Sequence, residues 1–345
     1  MTSFGVSGSR RPARGVASSY VLGTGWVVLT VVTTLSVALG PFPRPYQYAP
    51  LVVSVVLLGL PHGAVDHLLA PRQRGEPLTP RWLAAVGGVY LLLGAAYGFV
   101  WFLWPVAAFA GFILLTWFHW GQGELYPLLA FADASYLREP GQRALTVLVR
   151  GAAPMLVPLV AFPGEYEFVA ASLVGLFDPG AADALAPLFE PRARLVVGAV
   201  YAVLALVTLG LGSVRATDRR PWRIDAGEVG LLTAFFLTVP PILAIGVYFC
   251  AWHSLRHISR TVFLDGRSVA LLDRGRISPV LRRFARDAAP LTAAALALLG
   301  GLYLVVPETP AGTADLVALY LVLIAVLTLP HVAIVTWLDR AQNVL

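Results

Sequence analysis

No lysine occurs in these 345 residues; all 25 basic side chains are arginine. Cysteine is almost missing too. The single Cys250 lies in an apolar run, cannot close an internal disulfide, and reads as a small core residue. Charge of either sign is scarce: Asp, Glu, Lys and Arg together make 13% of the chain. A soluble domain carries roughly a quarter, so this scarcity excludes one. The long apolar runs lack strict alternation with polar residues, which excludes a transmembrane β-barrel. Histidine, finally, is missing from the loops.

What is present is apolar: 58% hydrophobic residues and a mean hydropathy of +0.75. The composition predicts an all-α, polytopic membrane bundle of about 8–10 transmembrane segments. The spans fall at 20–40, 48–70, 82–104, 106–127, 144–162, 193–212, 227–259, 288–306 and 315–338. Residues 1–19 read as an N-terminal cytoplasmic tail, with Arg10, Arg11 and Arg14 ahead of a signal-anchor-like run. Residues 20–340 read as a single transmembrane helical domain without a linker, to which any catalytic site would belong.

The pI of 9.7 invites a nucleic-acid reading, but the arginines cluster in short loops between spans. That is the positive-inside pattern, so no nucleic-acid partner is expected. The pattern also orients the chain as a multi-pass protein of the plasma membrane with both termini cytoplasmic. Basic loops around Arg72, Arg138 and Arg219 alternate with loops poor in arginine or rich in acid, such as 163–191. The basic stretch from Arg256 to Arg286 is then cytoplasmic as well. Between Arg223 and Arg256 the chain must cross an even number of times or turn back. Pro240–Pro241, which removes backbone donors and disfavours helix before it, marks the break, so 227–259 is read as a broken pair.

All six histidines, His62, His67, His119, His253, His257 and His331, lie inside or within a turn of these apolar stretches. Imidazole is costly in hydrocarbon and marks bundle interiors. With the topology above, His62, His119, His253 and His331 share one layer, about 5 Å to the cytoplasmic side of mid-span at 1.5 Å per residue. A single crossing at 227–259 would put His253 in the opposite leaflet.

Trp252-His253-Ser254-Leu255-Arg256-His257 places two imidazoles at i and i+4 on one helix face, where both reach one metal ion. A structural hydrogen-bonded pair would give the same spacing. In Pro61–His67, Pro61 loosens the helix, and Asp66, four residues after His62 on the same face, is placed to orient an imidazole. His67 lies too far round the helix to join His62 on one ion and is read as a neighbour of the site. Trp117–Glu124 contributes His119, with Gly121 and Gly123 weakening a helix end and Glu124 adding a carboxylate. Pro330-His331 supplies a pocket group. A cluster dominated by imidazole suits Fe, Zn, Cu or Ni and excludes a dedicated Ca or Mg site. Trp117, Phe118, Trp120, Tyr248, Phe249 and Trp252 could line a dry pocket for a redox-active iron and a lipid-soluble substrate.

The ordered set PHGAVDH (Pro61–His67), FHWGQGE (Phe118–Glu124), YFCAWHSLRH (Tyr248–His257) and PHVAIVTWLD (Pro330–Asp339) resembles the Brp/Blh family of membrane-integral β-carotene 15,15′-dioxygenases. The match runs over residues 50–340 and includes the double proline before the third motif. The resemblance implies cleavage of β-carotene by O2 at its central double bond into two molecules of retinal. It further implies a functional link to a microbial rhodopsin and a non-haem Fe(2+) held by His62, His119, His253 and His257. Four imidazoles would leave iron(II) with open positions for dioxygen, and membrane lipid would surround the polyene groove. His331 matches no family ligand.

Three other functions fit parts of the pattern. A membrane di-iron hydroxylase or desaturase also carries His-x-x-x-His boxes, but in larger sets, often with a His-x-x-His-His box; six histidines and no such box occur here. A haem- or quinone-binding electron carrier would use two axial histidines and leave the rest unexplained. A proton-coupled carotenoid carrier would need no metal.

Overall fold

The computed structural model describes residues 11–40 and 42–345, and among them every regular element is helical. In chain order these are α1 (Arg11–Leu39), α2 (Arg44–Gln47), α3 (Ala49–Val56), α4 (Gly59–Gly63), α5 (Leu69–Arg74), α6 (Pro80–Leu103), α7 (Pro105–Ala130) and α8 (Pro140–Ala161). There follow α9 (Pro163–Gly175), α10 (Pro191–Arg215), α11 (Arg219–Thr238), α12 (Pro241–Tyr248), α13 (Leu255–Phe263), α14 (Gly266–Leu272), α15 (Ile277–Val305) and α16 (Thr313–Ala341). Helices α6 to α10 and α12 all open on proline. The residue costs nothing there, because the first turn has no acceptor for its missing N–H.

Seven stretches are long and apolar enough to cross a membrane: Ser19–Leu39, Arg44–Arg74, α6, α8, α10, α15 and α16. The chain is a multi-pass membrane protein. The remaining expected spans, 106–127 and 227–259, are helical but less apolar, because α7 carries His119, Gln122 and Glu124 and the other is split by its prolines. Helices α1, α6, α10 and α15 bury few of their residues inside the bundle, as lipid-facing elements do, whereas α8 and α16 are mostly enclosed.

Residues 219–263 fold back on themselves. Glu228 and Arg256 form an ion pair at 2.6 Å, although an unbroken helix would hold them about 42 Å apart. The Phe236 and Tyr248 rings also meet, at 5.5 Å between centroids. Both contacts are centred on residue 242, so α11 and the α12–α13 arm form a hairpin about Pro240–Pro241. This is the broken pair that the loop charges require.

Three expectations need correction. Stretch 48–70 is not one helix: the chain breaks at Leu58 (φ 54°) and again after Gly63, continuing through a 3-10 turn at Asp66–Leu68 into α5. The acidic segment 163–191 is mostly helical rather than an open loop, with α9 followed by a 3-10 run at Pro179–Phe189. Arg10 and the rest of 1–10 lie outside the described residues. Gly121 and Gly123 do not end α7, which runs on to Ala130.

Those glycines serve packing instead. A Cβ on Gly121 would sit 1.9 Å from the Val147 carbonyl oxygen, and one on Gly151 would sit 1.9 Å from that of Trp117. Helices α7 and α8 therefore touch backbone to backbone, in the small-residue manner of membrane helix pairs.

Candidate metal centre

Five buried histidines from four segments meet at one place: His62 on α4, His119 on α7, His253 and His257 on the α12–α13 arm, and His331 on α16. Ring centroids lie 5.4 Å apart for His62 and His253, 4.9 Å for His119 and His253, and 4.5 Å for His253 and His257. His331 is 4.7 Å from His119 and 5.1 Å from His62. Ligand nitrogens of His62, His119 and His253 fall within 4.8 Å of one another, and so do those of His119, His257 and His331. His119 is common to both groups.

Local backbone chemistry aims these rings. The segment Phe249–Ser254 is π-helical, an insertion common at functional sites. It departs from the regular turn the i, i+4 spacing suggests, yet keeps both imidazoles on one face. Gly59 lets the chain bend into α4, since a Cβ there would meet Ser54 at 2.5 Å and Phe249 at 2.8 Å. His62 Nδ1–H donates to the Gly59 carbonyl, which leaves its Nε2 lone pair for the cluster. Gly123 makes room for the pair on the facing arm: its Cβ would lie 2.6 Å from His257 Nε2.

The donor set fits a metal ion. Nε2 of His62, His257 and His331 and Nδ1 of His253 are buried without any hydrogen-bond partner, an arrangement that is costly unless something satisfies them. His119 Nε2 and His253 Nε2 approach to 3.2 Å, where two lone pairs repel unless a proton or a cation lies between them. Every donor is imidazole, the choice of Fe, Zn, Cu and Ni.

The neighbours sort differently from the sequence expectation. Asp66 does orient an imidazole, that of His331 and not of His62, its neighbour in sequence. Its Oδ2 accepts from His331 Nδ1 at 2.7 Å and from the Tyr90 hydroxyl at 2.7 Å. His67 is half-buried on the 3-10 turn, lines the cavity described below, and joins none of the imidazole contacts. Glu124 points to the other side of the α12–α13 arm, into a buried group of charges. Arg150 and Arg256 each donate to it at 2.6 Å, and Trp252 Nε1 donates at 3.0 Å. The same two arginines bind Glu228, and Arg150 also binds Asp225. Reading the sequence did not single out Arg150, Asp225, Glu228 or Arg256. The available signal was charge inside an apolar run, since Arg150 falls in 144–162 and Glu228 and Arg256 in 227–259.

An apolar cavity of about 710 Å³ opens from the imidazoles, within the 300–1,000 Å³ range common for small-molecule sites. His62, His119, His253 and His331 form its polar patch, and Phe109, Phe112, Trp120, Met155 and Phe249 are among its apolar walls. Of the six aromatics expected to line it, only Trp120 and Phe249 do. Phe118 turns outward, Trp117 Nε1 donates to the Leu148 carbonyl on α8, and Tyr248 and Trp252 are fully buried behind the imidazoles.

Residues 53–339 match the sequence profile of the family described as β-carotene 15,15′-dioxygenase. The chain is 48% identical over 336 residues to the probable β-carotene 15,15′-dioxygenase Blh of Halobacterium salinarum, covering 96% of each protein. It is 30% identical over 314 residues to the probable β-carotene 15,15′-dioxygenase Brp of the same species, covering 88% of this chain and 86% of that one. A β-carotene 15,15′-dioxygenase from uncultured marine bacterium 66A03 is 22% identical over 205 residues, which is 59% of this chain and 66% of the relative. No solved structure matches.

Proposed function

The chain belongs to the β-carotene 15,15′-dioxygenase family, and from that premise we propose how its geometry serves the reaction. It cleaves β-carotene at the central double bond to give two molecules of retinal. In the balanced reaction that bond breaks, one O2 is consumed, and each new aldehyde takes one oxygen atom.

We assign His62, His119, His253 and His257 as ligands of an Fe(2+) ion. Bound there, iron would supply the binding and activation of dioxygen. The protein's part is placement and exclusion. The cavity wall offers a polyene no hydrogen-bonding group but the imidazoles and a few hydroxyls, so the hydrocarbon has one polar region to pass. Water is kept out by the same apolar walls, which protects reactive species from side reactions. Holding the central carbons beside the imidazole cluster converts an encounter into a local event, the largest service a rigid site gives. Lipid-facing helices surround the cavity, which suits a substrate that arrives from the bilayer. No side-chain amine exists in the chain to trap an aldehyde as a Schiff base, so retinal is free to leave, for instance to a microbial rhodopsin. The arginine distribution supports insertion in the plasma membrane with cytoplasmic termini.

The observation that carries this proposal is the meeting of imidazoles with unpartnered nitrogens at the wall of an apolar cavity. A membrane two-iron hydroxylase centre would be expected to use a larger set of histidines than the five imidazoles that meet here. The direct test is expression in a β-carotene-accumulating bacterium. Bleaching, with retinal as the product on chromatography, is expected. Retained colour despite inserted protein, or cleavage products of unequal length, would refute it.

A further inference from the structure

We propose that His331 is a fifth ligand of the same centre, fixed in place by Asp66 and Tyr90; this rests on the metal assignment just made. Neither the spacing of the sequence motifs nor the resemblance marked His331 as a ligand, and three features of the structure do.

The first is position. The His331 ring touches His119, His62 and His257, with the last centroid at 5.7 Å. Its ligand nitrogen lies within 4.8 Å of those of His119 and His257. Without His331, His257 has no such triad among the described residues.

The second is tautomer. The Asp66 carboxylate can only accept, so His331 Nδ1 carries the proton and donates to Oδ2 at 2.7 Å. The Nε2 lone pair is thereby left toward the cluster, and that atom is buried with no partner. A histidine kept merely for packing would have its second nitrogen satisfied or solvated.

The third is support. Tyr90 on α6 donates to the same Asp66 oxygen at 2.7 Å, so the carboxylate is held by a second helix. Carboxylate, imidazole and then metal is the usual order in which an outer carboxylate sets the orientation and basicity of a ligating histidine. His62 is oriented by a backbone carbonyl and His119 by Gln122 at 3.4 Å. His331 therefore has the only carboxylate partner among the five.

The test titrates purified, metal-free protein with Co(II) as a spectroscopic probe and counts coordinated imidazoles by X-ray absorption. The wild type is expected to give five. His331→Ala and His331→Gln are expected to give four, with Co(II) affinity down at least about tenfold, by analogy with the 10–100-fold losses seen at supporting residues. His331→Gln keeps a donor toward Asp66, so it removes the ligand while keeping the tie between α16 and the α4–α5 segment. Asp66→Ala should weaken Co(II) binding by about 10–100-fold, and Asp66→Asn, which keeps an acceptor, by less. If these variants lose thermal stability but keep the wild-type imidazole count and affinity, His331 is a structural tie and the inference falls while the metal assignment stands. If the wild type takes up no Co(II), Zn(II) or Fe(II), both fall together.

Discussion

The α12–α13 arm separates two opposite environments. His253 faces a chamber whose polar groups are imidazoles and a few hydroxyls and whose further walls are apolar, and His257 joins the same imidazole cluster. Trp252 and Arg256, each one residue earlier, face a packed group of three carboxylates and two guanidinium groups. The Arg256 guanidinium lies 3.9 Å above the Trp252 ring, and Trp252 Nε1 reaches Glu124. Two i, i+4 pairs offset by one position thus give one helical arm an imidazole face and an ionic face. The contrast shows a division of labour. Fixed charge holds the arm in register from behind, while the reactive side stays free of arginine and of unpaired carboxylate. A carotenoid chamber needs that freedom, because a charge facing hydrocarbon is expensive.

The two faces should break in different ways. His253→Ala and His257→Ala are each expected to abolish retinal formation and metal uptake while the protein still inserts and unfolds at nearly the wild-type temperature. Arg150→Met is expected to act through stability. Removing one member of a buried ion group costs about 3–5 kcal/mol, because the remaining charges are left uncompensated. Arg150 bridges Glu124, Asp225 and Glu228, so the upper end applies. Thermal unfolding in detergent, read beside retinal yield, separates the two. An Arg150→Met protein of full stability without activity would move the ionic face into the chemistry.

A smaller and sharper contrast lies within one turn of α7. Gly121 faces α8 and Gly123 faces His257, and neither admits a methyl group. Gly121→Ala should part the helices and lower the unfolding temperature, since its clash is with backbone, which cannot yield locally. Gly123→Ala meets the end of a side chain, so the fold should survive with His257 pushed aside. Metal affinity is then expected to fall at least about tenfold, the scale of a lost supporting contact, with little change in stability. Equal effects of the two on stability would contradict this division.

Much of the site was legible because lipid makes histidine conspicuous. Five of the six intramembrane imidazoles meet, and the i, i+4 pair lies together as the spacing implies. Pro240–Pro241 and the loop arginines sufficed to require a chain that doubles back. What could not be read was anything set by distant pairing. Asp66 partners His331 across 265 residues, and no local pattern says which imidazole it serves. The charges around Arg150 come from α7, α8, α11 and α13, and no local pattern links them. The π-helical turn at Phe249–Ser254 and the helix in the acidic 163–191 segment have the same origin. Tertiary packing chose them over the regular or open alternatives that periodicity and charge favoured.

His67 gives the mildest test of where the metal chamber ends. It follows the break after Gly63, so it is carried on the 3-10 turn away from the other rings and contributes only to the cavity wall. Its removal should therefore leave the imidazole count and metal affinity unchanged. His67→Ala enlarges the cavity slightly, and a polyene of fixed length is still centred by the remaining walls. The expected change in kcat/KM for β-carotene is under about threefold, less than about 0.7 kcal/mol of transition-state stabilisation. Metal loss in this variant would place His67 among the ligands, and the assignment of Asp66 to His331 would have to be redrawn with it.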